Sequence, residues 1–212
     1  MKRLTLAALG VSGLALLSGC ATMNESQCRV GDWGGQGYRD GTEGYPSSRL
    51  DDHAKACAKH GVSPNINAYM AAREDGLRSY CTWENGFRSG RAGGSYHGVC
   101  SPAEERAFMP AYHDGRQLYQ VEQAVSSAES ALNSAIRRVE SREDKLDAKH
   151  RELRQSGLSD EERRRIRNRI REVEGELQDA RRDVRRAEDD LRYAEVELRA
   201  VRRVLDGRYS IW

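Results

Sequence analysis

Apolar residues recur every seven positions along the second half of the chain: Leu118, Val125, Leu132, Val139, Leu146 and Leu153. Val121, Ala128 and Ala135 add a companion three residues after the first three of these. The pattern restarts downstream, with Ile166, Val173, Ala180, Ala187, Ala194 and Val201 in one register and Ile170, Leu177, Val184, Leu191, Leu198 and Leu205 in the other. A period of 3.5 residues sustained over this length predicts a left-handed coiled coil. Between the two runs Gly157 can end a helix, and Ser159 with Glu162 forms a capping box that starts the next, so the two helices should fold back as an antiparallel hairpin. Folding at 159–160 sets Leu146 against Val173, Val139 against Ala180, Leu132 against Ala187 and Val125 against Ala194, large against small at each layer. The same register brings Arg138 near Asp183, Lys145 near Glu176 and Glu152 near Arg169. Arg142 and Lys149 intrude on the first helix's seam and should snorkel outward, loosening the tip.

Before residue 116 the periodic signal breaks into short segments punctuated by caps. Ser47 or Ser48 can start a helix running to about His60, with Gly61 as a left-handed stop. Ser63-Pro64 opens another, Thr82 caps a third that Gly93-Gly94 ends, and Ser101-Pro102-Ala103-Glu104 joins a proline start to a capping box. Nothing alternates with period two, so no sheet is expected. The predicted fold is all-α: a small disulfide-stapled domain of short helices over 28–115, then a long antiparallel coiled-coil hairpin over 116–212.

The first twenty residues read differently. Met1-Lys2-Arg3 is basic, and Leu4 to Leu17 is a 14-residue apolar run, too short for a membrane span of ~20 residues and suited to a secretory signal. It ends in Leu17-Ser18-Gly19-Cys20, which resembles the bacterial lipobox. That resemblance implies cleavage of residues 1–19, diacylglycerol on the Cys20 thiol, an acyl chain such as palmitate on its new amino group, and a lipidated tether over 20–27. Ala21 stands where an aspartate would resemble an inner-membrane retention signal, so the expected location is the periplasmic face of the outer membrane. Several acyl chains at ~0.8 kcal/mol per buried CH₂ make a stable anchor without a transmembrane helix.

Charge narrows the partners. Of 212 residues 32% are charged and 7% aromatic. Residues 116–212 carry 23 Lys/Arg and 21 Asp/Glu, and without Lys2 and Arg3 the chain is balanced at 33 of each. A neutral mature chain excludes general nucleic-acid binding, which needs an excess of cations over phosphates. The run Arg163, Arg164, Arg165, Arg167, Arg169 and Arg171 could grip an anionic partner, but Glu152, Asp160, Glu161 and Glu162 balance it, which favours a solvated face.

With Cys20 lipidated, Cys28, Cys57, Cys81 and Cys100 remain, an even number in an oxidising compartment. Four cysteines allow three pairings and the sequence does not choose among them; short-loop closure favours Cys28–Cys57 with Cys81–Cys100. His53, Cys57 and His60 share a helical face as a rival metal set, but no fourth ligand and no C-x-x-C accompany them, so no metal is expected.

A degenerate repeat runs through the first half. Asp40-Gly41, Asp75-Gly76 and Asp114-Gly115 each precede a tyrosine (Tyr45, Tyr80, Tyr119) four residues after the glycine, and Tyr69, Trp83 and Phe108 stand seven residues before Gly76, Gly90 and Gly115. Two helical turns place each of these aromatics and its glycine on one face. The reading favoured is close helix packing; the functional alternative is a cell-wall glycan or peptide groove lined by the three aspartates and the aromatics. Gly37-Tyr38-Arg39-Asp40-Gly41, Gly44-Tyr45-Pro46, His53-Ala54-Lys55-Ala56-Cys57, Arg73-Glu74-Asp75-Gly76-Leu77, Tyr80-Cys81, Glu84-Asn85-Gly86-Phe87-Arg88, Gly93-Gly94-Ser95-Tyr96 and Gly98-Val99-Cys100, following the lipobox, resemble bacterial lipoproteins of the domain-of-unknown-function 2799 family over roughly residues 20–120. The resemblance implies no activity or catalytic residue. The chain departs from that family's pattern at Trp83 and at Pro110, which should kink the long helix.

No G-x-S-x-G, S-x-x-K, H-E-x-x-H or free thiol nucleophile is present, so neither catalytic residues nor a cofactor other than the lipid on Cys20 is expected. Asp40 and Asp75 could serve glycoside cleavage only if brought together. The expected role is that of a non-enzymatic lipoprotein, held on the membrane by its lipid and contacting an envelope protein or the cell wall.

Overall fold

The computed structural model describes residues 22–209; the signal segment 1–19 and Cys20 lie outside these residues. The described chain is helical, with α1 (Glu25–Val30), α2 (Trp33–Thr42), α3 (Arg49–Ala58), α4 (Ile66–Tyr80), α5 (Trp83–Arg91), α6 (Pro102–Leu153) and α7 (Asp160–Tyr209). Two compact units form, one of residues 22–80 with 97–99 and one of 81–96 with 100–209. No helix among the described residues is long and apolar enough to cross a membrane.

In the first unit, the caps explain where elements begin. Asn24 and Gln27 close a reciprocal capping box on α1, and the Asp32 carboxylate accepts the Gly35 N–H to start α2. Ser48 precedes α3 without a side-chain cap bond, and Gly61 takes φ +68° after its end. The helix expected from Ser63-Pro64 starts at Ile66 instead, because Asn65 supplies the cap by accepting the Ala68 N–H at 3.1 Å. Residues 22–27, read as tether, are folded: Met23 is buried with Cys28, Trp33, Leu50, Cys57 and Tyr69 in one core, and the Cys28–Cys57 disulfide ties α1 to α3.

In the second unit, Thr82 caps α5, and Ser101 with Glu104 closes the capping box on α6. The Cys81–Cys100 disulfide joins the segments leading into these helices. The Tyr96 hydroxyl accepts the Cys100 N–H at 3.0 Å and donates to Glu105 at 2.6 Å. Helix α6 stays helical through Pro110 for 52 residues. Residue 116, where the hairpin pattern begins, is therefore mid-helix, and α6 serves both α5 and α7.

A glycine-bearing helix pair, built to the same plan, occurs in each unit. In the first, Gly37 and Gly41 of α2 press on the backbone of Tyr69 and Arg73 in α4, while Gly76 presses on Tyr38. In the second, Gly86 and Gly90 of α5 press on Phe108 and Tyr112 in α6, while Gly115 presses on Phe87. Gly44 and Gly93 follow the first helix of each pair at φ +73° and +74°, and each lies under the ring of a tyrosine, Tyr80 or Tyr119. The equivalent glycines of the first helices are 49 residues apart, and Tyr69, Gly76 and Tyr80 are each 39 residues from Phe108, Gly115 and Tyr119. The capping bonds repeat as well: Tyr45 N–H to Asp40 carbonyl in one, Gly94 N–H to Ser89 carbonyl in the other. The repeat is thus a helix pair used twice. Asp40-Gly41 belongs to a first helix, whereas Asp75-Gly76 and Asp114-Gly115 belong to second helices.

The hairpin forms as expected, with α6 and α7 packed together and Ser159 with Glu162 capping the return at 2.7–3.3 Å. Its register differs from the expected one. Tyr209 donates to Asp114 at 2.6 Å, Arg202 meets Glu122 at 3.1 Å, and Val139 and Val184 line one shallow hollow with Ile136 and Arg185. Paired residue numbers therefore add to about 322, not 319. Ala135 comes level with Ala187 and Leu132 with Leu191, small against small and large against large. An antiparallel seam can slip by one half-heptad and keep its apolar face inward, so apolar spacing alone left both registers open. Arg138 does reach Asp183, at 3.8 Å, but Glu176 takes Arg142 at 2.7 Å in place of Lys145, and Lys149 pairs with Glu152 at 2.5 Å. Arg142 and Lys149 therefore end in ion pairs at the seam's edge.

Candidate functional site

Helix α3 puts His53 on the same face as Leu50 and Cys57, so its imidazole faces the core and is fully buried. A buried imidazole needs polar partners on both nitrogens. Asp40 on α2 supplies one: its Oδ2 lies 2.7 Å from His53 Nε2. The Tyr69 hydroxyl of α4 donates to that same oxygen at 2.5 Å, and Gln36 Nε2 donates to Oδ1 at 2.9 Å. Both carboxylate oxygens act as acceptors, so Nε2 carries a hydrogen toward Oδ2, and Nδ1 lies 2.7 Å from the Thr22 hydroxyl oxygen. Three helices thus meet at Asp40, which is 3% exposed, and Thr22 joins them through His53.

Charge is arranged to suit. Arg73 and Arg49 act electrostatically on Tyr69, opposing the neighbouring Asp40 charge. Arg73 donates twice to the Tyr45 carbonyl, at 2.7 and 2.9 Å, and the Arg49 guanidinium lies 4.6 Å from the Tyr45 ring centre. Burial, then the bond to Asp40, pushes the Tyr69 phenol well above its ordinary range, so it stays a donor. Hydroxyl, imidazole and carboxylate stand in a line that resembles a nucleophile, base and orienter. However, the imidazole is closed off from solvent and the carboxylate is saturated by three donors, so the network ties Thr22, α2, α3 and α4 together.

The expected candidates are placed as follows. Asp40, Asp75 and Asp114 do not line one groove: Asp40 is buried, Asp75 is exposed and pairs with Arg78, and Asp114, in the other unit, accepts from Arg208 and Tyr209. The pairing Cys28–Cys57 and Cys81–Cys100 forms. This takes Cys57 from the His53, Cys57, His60 set, and His60 instead faces Glu25 at 3.8 Å. In the arginine run, Arg165 pairs with Glu161, and Arg169 with Glu172 and Glu176. The Asp40–His53–Tyr69 centre was missed. Its signal was His53 itself, a histidine among apolar helix positions that demands a buried acceptor elsewhere.

In the second unit Trp83 stacks on Tyr209 at 5.4 Å, Phe87 tilts against the same ring at 5.2 Å, and Trp83, Glu84, Phe87, Arg88 and Arg91 line a shallow hollow. No curated protein and no solved structure matches the chain. Residues 32–117, which span both glycine-bearing helix pairs and stop where the hairpin seam begins, match the model of a family described as a protein of unknown function (DUF2799).

Proposed function

We propose that this protein is a lipid-anchored envelope protein that acts by contact and not by catalysis. The lipid on Cys20 holds it to the periplasmic face of the outer membrane, and the α6–α7 hairpin presents a long helical surface to an envelope partner. The observation that carries this reading is the investment in the hairpin: helices of 52 and 50 residues joined along a single seam. At 1.5 Å per residue each is ~75 Å long. Exposed ion pairs run between the helices, as in Arg181–Glu143, and along α7, as in Arg199–Glu195, suited to a rod that stays hydrated while it spans distance. The match to a family of unknown function assigns no reaction, and the apolar leader ending in Cys20 supplies the address.

A photo-crosslinking residue at Leu158, in the hairpin turn, tests the reading in cells. The expected result is one discrete crosslinked envelope partner that disappears when the hairpin is shortened by a matched heptad from each helix. Loss of no crosslink on shortening refutes the contact role. Pelleting of the purified protein with cell wall, abolished by Trp83→Ala and unaffected by shortening, would instead establish wall binding at the aromatic hollow of α5.

A further inference from the structure

The polar centre under α2, α3 and α4 reaches back to Thr22, two residues after the cysteine that the proposed function lipidates. We infer that the first unit docks directly on a phospholipid surface, with the Thr22–His53–Asp40 bonds as the lock that keeps its leash short. The inference rests on lipidation of Cys20 and adds where the protein sits once it is lipidated.

The argument is one of length. Two residues span at most ~7 Å even when fully extended. The polar layer on each side of a bilayer's ~30 Å hydrocarbon core is itself ~5–8 Å deep. A glycerol thioether at Cys20 lies within that layer, so Thr22 stays within ~7 Å of it, and the 2.7 Å bond to His53 holds the folded unit beside Thr22. Met23, 4% exposed, is a second fastening, and the capping box of Asn24 with Gln27 fixes the next turn. No slack remains before the folded unit begins.

What this places at the lipid is α1. Its last residue, Val30, is 74% exposed although apolar, and the guanidinium of Arg29 beside it is 63% exposed while paired with Glu25 at 2.8 Å. His60, just past the end of α3, lies 3.8 Å from Glu25 of α1. An exposed aliphatic side chain beside an exposed guanidinium suits an interface of acyl chains and headgroup phosphates. His53 and Asp40 are positioning residues here, since they touch no lipid and act through Thr22.

The test uses the full lipidated chain in phosphatidylglycerol–phosphatidylethanolamine vesicles, with Val30→Cys carrying an environment-sensitive fluorophore. This thiol is the free one, because Cys20 is a thioether and the other four cysteines are paired. Quenching by lipids spin-labelled near the headgroup reports its depth, and mass spectrometry of the same sample reports the acyl groups. The expected result is strong quenching that is lost when a 20-residue Gly/Ser linker is inserted between Ala21 and Thr22, which moves the unit ~25 Å away on average. Thr22→Val, near in size but unable to bond His53, should lower the quenching part-way with disulfides and helicity unchanged. Equal quenching with and without the linker, in protein shown to be acylated, overturns the docking inference alone. Weak quenching in the acylated parent chain does the same. Absence of acyl groups on Cys20 overturns the anchoring reading and this inference with it.

Discussion

Gly115→Ala and Gly175→Ala are the same chemical change in two helices of one unit, and the structure assigns them opposite signs. Alanine is preferred over glycine in a helix by ~1 kcal/mol. At Gly175, on α7, an added methyl meets nothing within 4 Å, so that preference should appear as a gain of ~0.5–1 kcal/mol. At Gly115 the methyl runs into the Phe87 carbonyl oxygen and comes within 2.8 Å of the Arg91 nitrogen and 3.1 Å of the Phe87 carbonyl carbon. These are backbone atoms, so a helix must move, and ordinary contact distances require α5 to back away by ~1 Å. Overpacking of this kind costs ~1–3 kcal/mol. The separation also stretches the bonds from Tyr112 to the Gly94 carbonyl, now 2.8 Å, and from Arg116 to the Gly93 carbonyl, now 2.9 Å. Loss of one adds ~1 kcal/mol. Net of the helix preference, Gly115→Ala should destabilise by ~1–3 kcal/mol. Urea unfolding followed by circular dichroism, with disulfides intact, measures both variants against the parent. A neutral or stabilising Gly115→Ala would refute the close crossing of α5 and α6.

Gly76→Ala should repeat the penalty in the first unit, since its methyl meets the Tyr38 carbonyl, and loss of near-ultraviolet dichroism on milder heating reads it out. Ala135→Leu should cost ~1–3 kcal/mol by overpacking the layer it shares with Ala187, and unchanged or raised melting of the hairpin would count against the register. Reduction of Cys28–Cys57, which closes a loop of 29 residues, should remove ~3 kcal/mol from the first unit while the hairpin's helical signal persists; simultaneous loss of both would contradict the two-unit division. Tyr69 keeps its proton in the folded chain at alkaline pH, whereas the unfolded chain releases it near pH ~10. The folded state then binds more protons than the unfolded one, so stability should fall as pH rises above ~10, and Tyr69→Phe should flatten that slope.

What the sequence made legible follows from the range of each interaction. Caps at Thr82, Ser101 and Ser159 act within four residues and are visible in local spelling. The hairpin is legible too, because a seam repeated over many heptads outweighs any single residue. Helix α2 was not: Trp33–Thr42 contains four glycines and would be a poor helix alone. It forms because Gly37 and Gly41 let α4 approach to backbone contact, a gain that exists only once the partner is in place. The Asp40–His53–Tyr69 centre was hidden for the same reason, as its members come from three helices and the Thr22 hydroxyl from a fourth segment. The repeat was seen at the level of glycine and aromatic phase, but its unit, a pair of helices, emerges only when Gly37, Gly41 and Gly44 are set beside Gly86, Gly90 and Gly93.

The proposed lipid anchor can be tested directly by weighing the first peptide of the mature chain. Protein extracted from the outer-membrane fraction and cleaved after Arg29 should yield, on reduction, a peptide that begins at Cys20 and carries a diacylglycerol thioether and an amide-linked acyl chain. Cys20→Ala should leave that fraction empty. A peptide beginning at any other residue, or an unmodified Cys20 in membrane-bound protein, would contradict the account.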